Sequence, residues 1–359
     1  MASDGEIPID YSGLWTDTFA KFGTITITDS SDSNHIRIIG NIDASGFGGG
    51  QIFIRAGQLF LNQGYLFSDT YGAIDGQGID IQVTEELRLE NGSRITTQTL
   101  PLTLQPIGHA GDIHISAGQI RLTGGSQIQS STQTYGNAGN ITVATDNLHI
   151  AGYQTLANGD IVNSGILSNT LSPGLSGQIQ ITATDLVLDN GGEIRSDTRG
   201  LGDAGDVSIS ANRLTLFSGA QVDTSAGRQY AQAQGNSGHL TITAKNYMVI
   251  QGSKQKDRSS ALLANRFTQG ENSDITINTP VLAIADGGII QASGQVKLNT
   301  EVDLTDNFMV LPQQHFEASE LLGNRCAGLS RQDLSRFVIT IRDVFPPGPE
   351  DLKTHYLFE

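Results

Sequence analysis

Residues 177–198 read Gly-Gln-Ile-Gln-Ile-Thr-Ala-Thr-Asp-Leu-Val-Leu-Asp-Asn-Gly-Gly-Glu-Ile-Arg-Ser-Asp-Thr. Apolar side chains recur mostly at every second position, the period of a strand with one buried face. The stretch divides into two short alternating strands, a Gly corner, and a third short strand ending in small polar residues. Nearly the same string recurs along most of the chain, and self-similarity at a countable period outranks any local assignment.

The period can be followed from Gly50. The residue opening the second strand is Leu59, Leu87, Ile120, Leu148, Leu186, Leu214, Tyr247 and Leu282, at intervals of 28, 33, 28, 38, 28, 33 and 35. A third strand opens at Phe67, Ile95, Ile128, Ile166, Ile194, Val222 and Leu262. A basal unit of 28 residues with insertions at two corners accounts for every interval. Five extra residues follow the third strand in the units of Leu87 and Leu214, while ten and seven precede it in those of Leu148 and Tyr247. Five positions past the marker stand Gly64, Gly92, Gly125, Gly191, Gly219, Gly252 and Gly287, with Tyr153 the exception. Gly at a fixed corner predicts positive φ there. In the second unit Ile79, Ile81 and Val83 fall on the opposite parity, which predicts a bulge that restores the alternation.

Such a unit, without a helix of useful length, cannot bury its apolar face alone. Stacked copies can, stepping about 4.8 Å per coil along the hydrogen-bond direction. The expected fold is all-β: a right-handed parallel β-helix, a three-sided β-solenoid of about eight coils. Leucine-rich and ankyrin arrays need a helix or an Asn ladder, and neither signature is evident. Residues 1–49 are expected to form a partial coil or N-terminal edge, 50–292 the β-helix repeats, and 293–359 a C-terminal cap, because an open strand edge must be covered.

Composition narrows the function classes. The chain has 359 residues with 43 Gly and 9 Pro, too rich in Gly for an ordinary helical enzyme and without the collagen period. Its single cysteine, Cys326, excludes an internal disulfide framework and any CxxC metal site; it is expected to be a small buried residue rather than a nucleophile. The formal charge of −16 argues against nucleic acid or an anionic membrane as electrostatic partner. No apolar run approaches the ~18 residues of a spanning helix, so no membrane span is expected. Met1–Thr18 is polar and acidic, without the basic and apolar regions of a signal peptide. With the repeats, that leads to the expectation of a downstream part of a longer exported product.

Three stretches carry a family resemblance: Gly-Asp-Ile-His-Ile-Ser-Ala-Gly-Gln-Ile-Arg-Leu at 111–122, Gly-Asn-Ala-Gly-Asn-Ile-Thr-Val-Ala from Gly136, and Gly-Asp-Val-Ser-Ile-Ser-Ala from Gly205. In these, across 50–292, the chain resembles the filamentous-haemagglutinin-like exoproteins of two-partner secretion in their cyanobacterial style. Cys326, then Ser335-Arg-Phe-Val-Ile-Thr-Ile-Arg and Phe345-Pro-Pro-Gly-Pro, is similar to the C-terminal tail common in that group. The resemblance implies a secreted or outer-cell-surface adhesin of β-helical build, exported unfolded through an outer-membrane secretion barrel. Its implied partners are surface glycans or a host or neighbouring cell surface. The group's secretion domain carries Asn-Pro motifs, and none occurs in this sequence.

No catalytic residue, metal ligand or cofactor is expected. The competing class is a β-helical polysaccharide lyase or hydrolase acting on acidic glycans, which needs carboxylates converging on one face. Arg195 and Asp223 stack on neighbouring coils with Asp197 on the same face; they are expected to form a solvated polar face, as are Ser68, Thr70, Thr96, Gln98, Gln129 and Ser131. The seven histidines (His35, His109, His114, His149, His239, His315, His355) show no metal-binding spacing and are expected on the surface. No P-loop or Gly-Gly-x-Gly-x-Asp nonapeptide appears. Binding is expected instead on the insertions, since loops on a rigid scaffold are where recognition residues are placed. Tyr153–Gly165 and Ser253–Ala261 share one corner three coils apart, and the candidate binding residues are Tyr153, Lys254, Lys256 and Arg258. At the other corner the apolar stretch Leu100–Ile107 is expected to lie along the rod or contact a partner.

Overall fold

The computed structural model describes residues 23–28, 30–31, 37–38, 40–101, 108–227, 235–252, 259–267 and 273–303. The chain divides into two units, Met1–Met309 and Val310–Glu359, and the second lies outside the described residues, as do Cys326 and Leu102–Ile107. The described residues are strands, turns and bends without a helix, and none of their segments is a helix long and apolar enough to cross a membrane.

The strands stack in parallel as a β-helix. Long strands such as Gln51–Asn62, Gly78–Glu90, Ile113–Thr123, Ile141–Ala151, Ile179–Asp189, Val207–Leu216 and Leu240–Gln251 lie in register in one 12-stranded sheet. Short strands from Asn41–Asp43 through Glu193–Arg195 to Ile289–Ala292 form a 9-stranded sheet. A ladder of single bridges then links Thr70, Thr99, Thr132, Thr170 and Thr198. At one end Thr24–Thr28 pairs with Gln58–Asn62; at the other, Val296–Asn299 and Val302–Asp303 carry the stack past residue 292.

Each long strand holds two of the short strands expected from sequence, joined through a bend. Ile113, Ile115 and Ala117 are buried, then Ile120 and Leu122, so the alternation slips by one residue while the ladder runs on. The slip lets the strand bend without losing its backbone partners. The bulge expected near Val83 is present: between Ala56 and Gln58 the register shifts, and one extra residue on the facing strand brings Leu87 opposite Leu59. A second extra residue follows Ala244, which places Met248, not Tyr247, opposite Leu214; Met248 and Ile250 are buried, while Tyr247 is half-buried on the outside. In the first coil Leu66, not Phe67, occupies the third-wall core position, opposite Ile95. The interior is a column of mainly Ile, Leu and Val, with Ala and Met248, from Ile52 to Leu282.

The second corner is a tight turn in which both central residues have positive φ, as Asn190 (44°) and Gly191 (81°) show. Gly192 N donates to Asp189 O across it at 2.8 Å, the pattern of a type I′ turn. Gly92, Gly125, Gly219 and Gly287 repeat that geometry. At Gly64 and Gly252 the reason is close packing: a Cβ there would meet backbone of a neighbouring coil, Ile27 O and Asp286 O.

The corner after the third wall departs most from the sequence expectation. Ser68, Thr70, Thr96 and Ser131 are buried, not solvated. The chain turns back over the lumen there, and hydroxyls satisfy backbone that the turn leaves unpaired. Gly177 N donates to Ser168 Oγ at 2.8 Å, and Ser196 Oγ donates to Gly177 O at 3.0 Å. Two columns of side-chain acceptors run alongside. In one, His109 N donates to Asp75 Oδ1 (2.8 Å), Asn137 N to His109 Nδ1 (2.9 Å) and Leu175 N to Asn137 Oδ1 (3.0 Å). In the other, Asn140 N donates to Asp112 Oδ1 and His239 N to Asp206 Oδ1, and Asp274 N to His239 Nδ1. His109 and His239 are therefore exposed, as expected, yet they act as rungs of a mixed Asp/Asn/His ladder.

Asp69 in this corner is buried, accepting from Gln98 N and Thr96 Oγ1 at 2.8 Å each. Burial pushes its carboxyl up; those two bonds pull it down, and Asp43 adds to the rise. The net shift is upward, so the folded state holds the proton to higher pH than the unfolded chain. The ionised group thus costs stability at neutral pH, and the cost fades as pH falls through the folded value. Asp69→Asn, which keeps an Oδ1 acceptor, is expected to raise the urea midpoint at pH 7 and to lose that advantage at pH 4. A lower midpoint than wild type at pH 7 would contradict this.

Candidate functional site

Outward positions on most coils carry Thr, Ser or Gln, but the first full coil carries Phe53, Phe60, Tyr65 and Phe67. Parallel register sets Phe60 beside Arg88 and Tyr65 beside Arg94. The Arg88 guanidinium lies over the Phe60 ring at 4.4 Å, and that of Arg55 over Phe53 at 5.7 Å. Tyr65 and Phe67, two apart on one strand, share a face and stack with centroids 5.4 Å apart and planes at 21°.

Above this coil stands the larger insertion. Tyr153–Thr155 and Ile161–Asn163 pair antiparallel as a hairpin. Its turn is closed by Leu156 N to Asp160 O at 2.8 Å and stiffened by Asn158 bonds to Asp160. Its base is fixed to the rod: Gly125 N donates to Ser164 Oγ (3.0 Å), Gln127 Nε2 to Asn163 O (3.1 Å) and Asn163 Nδ2 to Glu193 Oε2 (3.3 Å). A Cβ on Gly125 would strike Gln154 N and Val162 O, both at 2.9 Å, so only Gly lets the hairpin lie this close. Gln154 then reaches over Gly92, where its amide oxygen fills the space a side chain would take.

Between hairpin and wall lies a groove of about 300 Å³, lined by Gln63, Tyr65, Asn91, Gly92, Arg94, Gln154 and Leu156. Asn91 donates to Asn62 Oδ1 at 2.8 Å; the side chains of Arg94, Gln63 and Gln154 have no hydrogen-bond or ion-pair partner among the described residues. One aromatic ring, one cation unpaired among the described residues and three amides on a rigid support form a polar recognition surface.

Comparisons with protein-family models, curated proteins and solved structures give no match. The geometry of the site therefore carries the functional argument. Of the residues expected from sequence to bind, Tyr153 is 49% exposed at the base of the hairpin, paired with Asn163, and is not among those lining the groove. Lys254, Lys256 and Arg258 lie outside the described residues. Tyr65, Arg94 and Gln154 were not singled out by the sequence. The available signal was the run of outward aromatics from Phe53 to Phe67 in a chain with 6% aromatic residues.

Arg195, Asp197 and Asp223 do meet, but not as a solvated face. Arg195 and Asp223 are register partners, and Glu193, Asp197 and Asp223 are buried. Arg195 Nε lies 3.2 Å from Asp197 Oδ1 and its Nη2 3.7 Å from Glu193 Oε1. Burial works against the guanidinium charge; Asp197, Glu193 and Asp223 together outweigh it and hold its pKa up. Arg199 reaches Asp197 from the other side at 3.3 Å, and the Asn169 amide donates to Asp197 Oδ1 at 2.7 Å. The cluster is a mutually neutralising ion network set into the wall.

A second depression of about 350 Å³ is bordered by Asp75, Asp80, Asp112, His109 and His114. Asp75 and Asp112 are rungs of the ladders above, and Asp80 pairs with Arg55 at 2.7 Å.

Proposed function

We propose that this chain is the adhesive rod of a secreted or cell-surface exoprotein of the filamentous-haemagglutinin-like kind, exported through an outer-membrane barrel. It attaches to surfaces, cells or extracellular polysaccharide. The observation that carries the reading is the contrast between a scaffold repeated coil after coil and one groove where an anchored hairpin faces Tyr65 and Arg94. A stiff parallel stack supplies reach, and a rigidly rooted insertion supplies recognition at little ordering cost. Support also comes from the repeat strings at 111–122, 136–144 and 205–211, which resemble that group.

Beads coated with the purified chain are expected to adhere saturably to polysaccharide-coated or cell-coated surfaces and to be displaced by soluble chain. Retention no greater than on beads carrying an acidic protein of equal net charge would overturn the reading.

A further inference from the structure

The first coil's groove carries more than a general adhesive role, because its chemistry selects a ligand. Arg94 is a guanidinium without a counter-ion among the described residues, on a chain of net charge −16. Its planar fork can take the two oxygens of a carboxylate in one bidentate pair. Tyr65 lies beside it in register, its ring stacked on Phe67 and so held in place. Gln63 and Gln154 flank the pair with side-chain amides that have spare donors and acceptors. A ring bearing C–H bonds, hydroxyls and one carboxylate satisfies the whole lining. A densely charged polyanion does not, because it would bring many charges to a single cation on a chain of net charge −16. The cavity, about 300 Å³, lies at the small end of ligand sites, a size suited to a short saccharide.

We propose that the groove binds a uronic acid residue set among neutral sugars of an extracellular polysaccharide. Arg94 takes the carboxylate, Tyr65 packs against the ring, and Gln63 and Gln154 bond its hydroxyls. The assignment rests on the adhesive reading above and narrows it to one ligand class. The hairpin acts as the groove's outer wall, and Gly92 and Gly125 let it approach.

Calorimetric titration of the full chain with three probes tests this: a xylotriose carrying one glucuronic acid, its methyl ester, and unsubstituted xylotriose. Expected is binding of the acid at least tenfold tighter than the ester or the neutral sugar. Arg94→Gln is expected to erase that preference, and Arg94→Lys, which keeps the charge but not the fork, to fall between. Tyr65→Ala is expected to weaken acid and ester by a similar factor. Arg121→Gln, on the neighbouring second wall and outside the groove, is expected to change nothing. Circular dichroism of each variant confirms that the rod is folded. Equal affinity for all three probes, an unchanged Arg94→Gln, or no binding of the acid by wild type overturns the inference. Bead adhesion surviving any of these results leaves the adhesive reading in place; bead adhesion lost while the acid still binds overturns that reading alone.

Discussion

Gly205→Ala is expected to lower the stability of the rod by about 3 kcal/mol or more, although it adds one methyl group. The Cβ would land on the carbonyl of Gly177 in the coil below, with the carbonyl carbon 2.6 Å away and Ser196 Oγ at 2.9 Å. Neither neighbour can yield. The Gly177 carbonyl accepts from Ser196 Oγ, and Gly205 N donates to that same hydroxyl at 3.0 Å. The corner repeats along the stack: Gly139, Gly177, Gly205 and Gly238 each rest on the glycine below. In a fold whose stability is a sum of nearest-neighbour terms, a wedge between two coils weakens one interface directly. Thermal unfolding should show a transition lowered by about 2–4 °C per kcal/mol lost, and limited proteolysis should gain a cut in 199–206. Gly46→Ala is the control, because its nearest heavy atom would be 3.7 Å away. A Gly205→Ala protein with the wild-type transition would refute the close-stacking account.

Arg195→Met is expected to cost about 3–5 kcal/mol at pH 7, the range for removing one member of a buried ion network. Methionine replaces most of the volume, so the loss is electrostatic: Glu193, Asp197 and Asp223 stay buried without their shared cation. In the variant, burial and mutual repulsion raise the Glu193 and Asp223 carboxyls above their unfolded values, while Arg199 still faces Asp197. The folded variant then binds protons that the unfolded chain does not, so its stability deficit shrinks as pH falls through the raised values. Urea melts at pH 7 and pH 5 read this directly. Asp223→Asn in the Arg195→Met background should restore part of the loss at pH 7. An Arg195→Met protein as stable as wild type at pH 7 would show that the network does not hold the wall together.

The periodic features of this fold are legible in sequence because each is local and repeated. Alternating pairs such as Ile179/Ile181, the corner glycines and the phase change at Val83 report burial, backbone conformation and a bulge within a few residues of themselves. Tyr247 and Phe67 sit one position from the core sites that the periodicity assigns them, for the complementary reason. An extra residue in a bend can be absorbed on either side of it, and only the facing strand decides, by setting Met248 opposite Leu214 and Leu66 opposite Ile95. Burial of the small polar residues after the third wall was not visible either. Ser196 and Thr198 look like surface residues until the chain turns inward and their hydroxyls take up backbone groups.

By itself, the sequence determined that the chain stacks 28-residue units into a parallel β-helix and that its excess residues, all but the one taken up after Ala244, leave at two corners. Only the tertiary structure decided what those corners do. The insertion at Tyr153 became a hairpin bent back over earlier coils, which brought Gln154 to Arg94 and Tyr65 across a gap of about sixty to ninety positions in the chain. Stacking converts a sequence separation near one repeat into a spacing of about 4.8 Å, so neighbours in space are set by register, not by order along the chain.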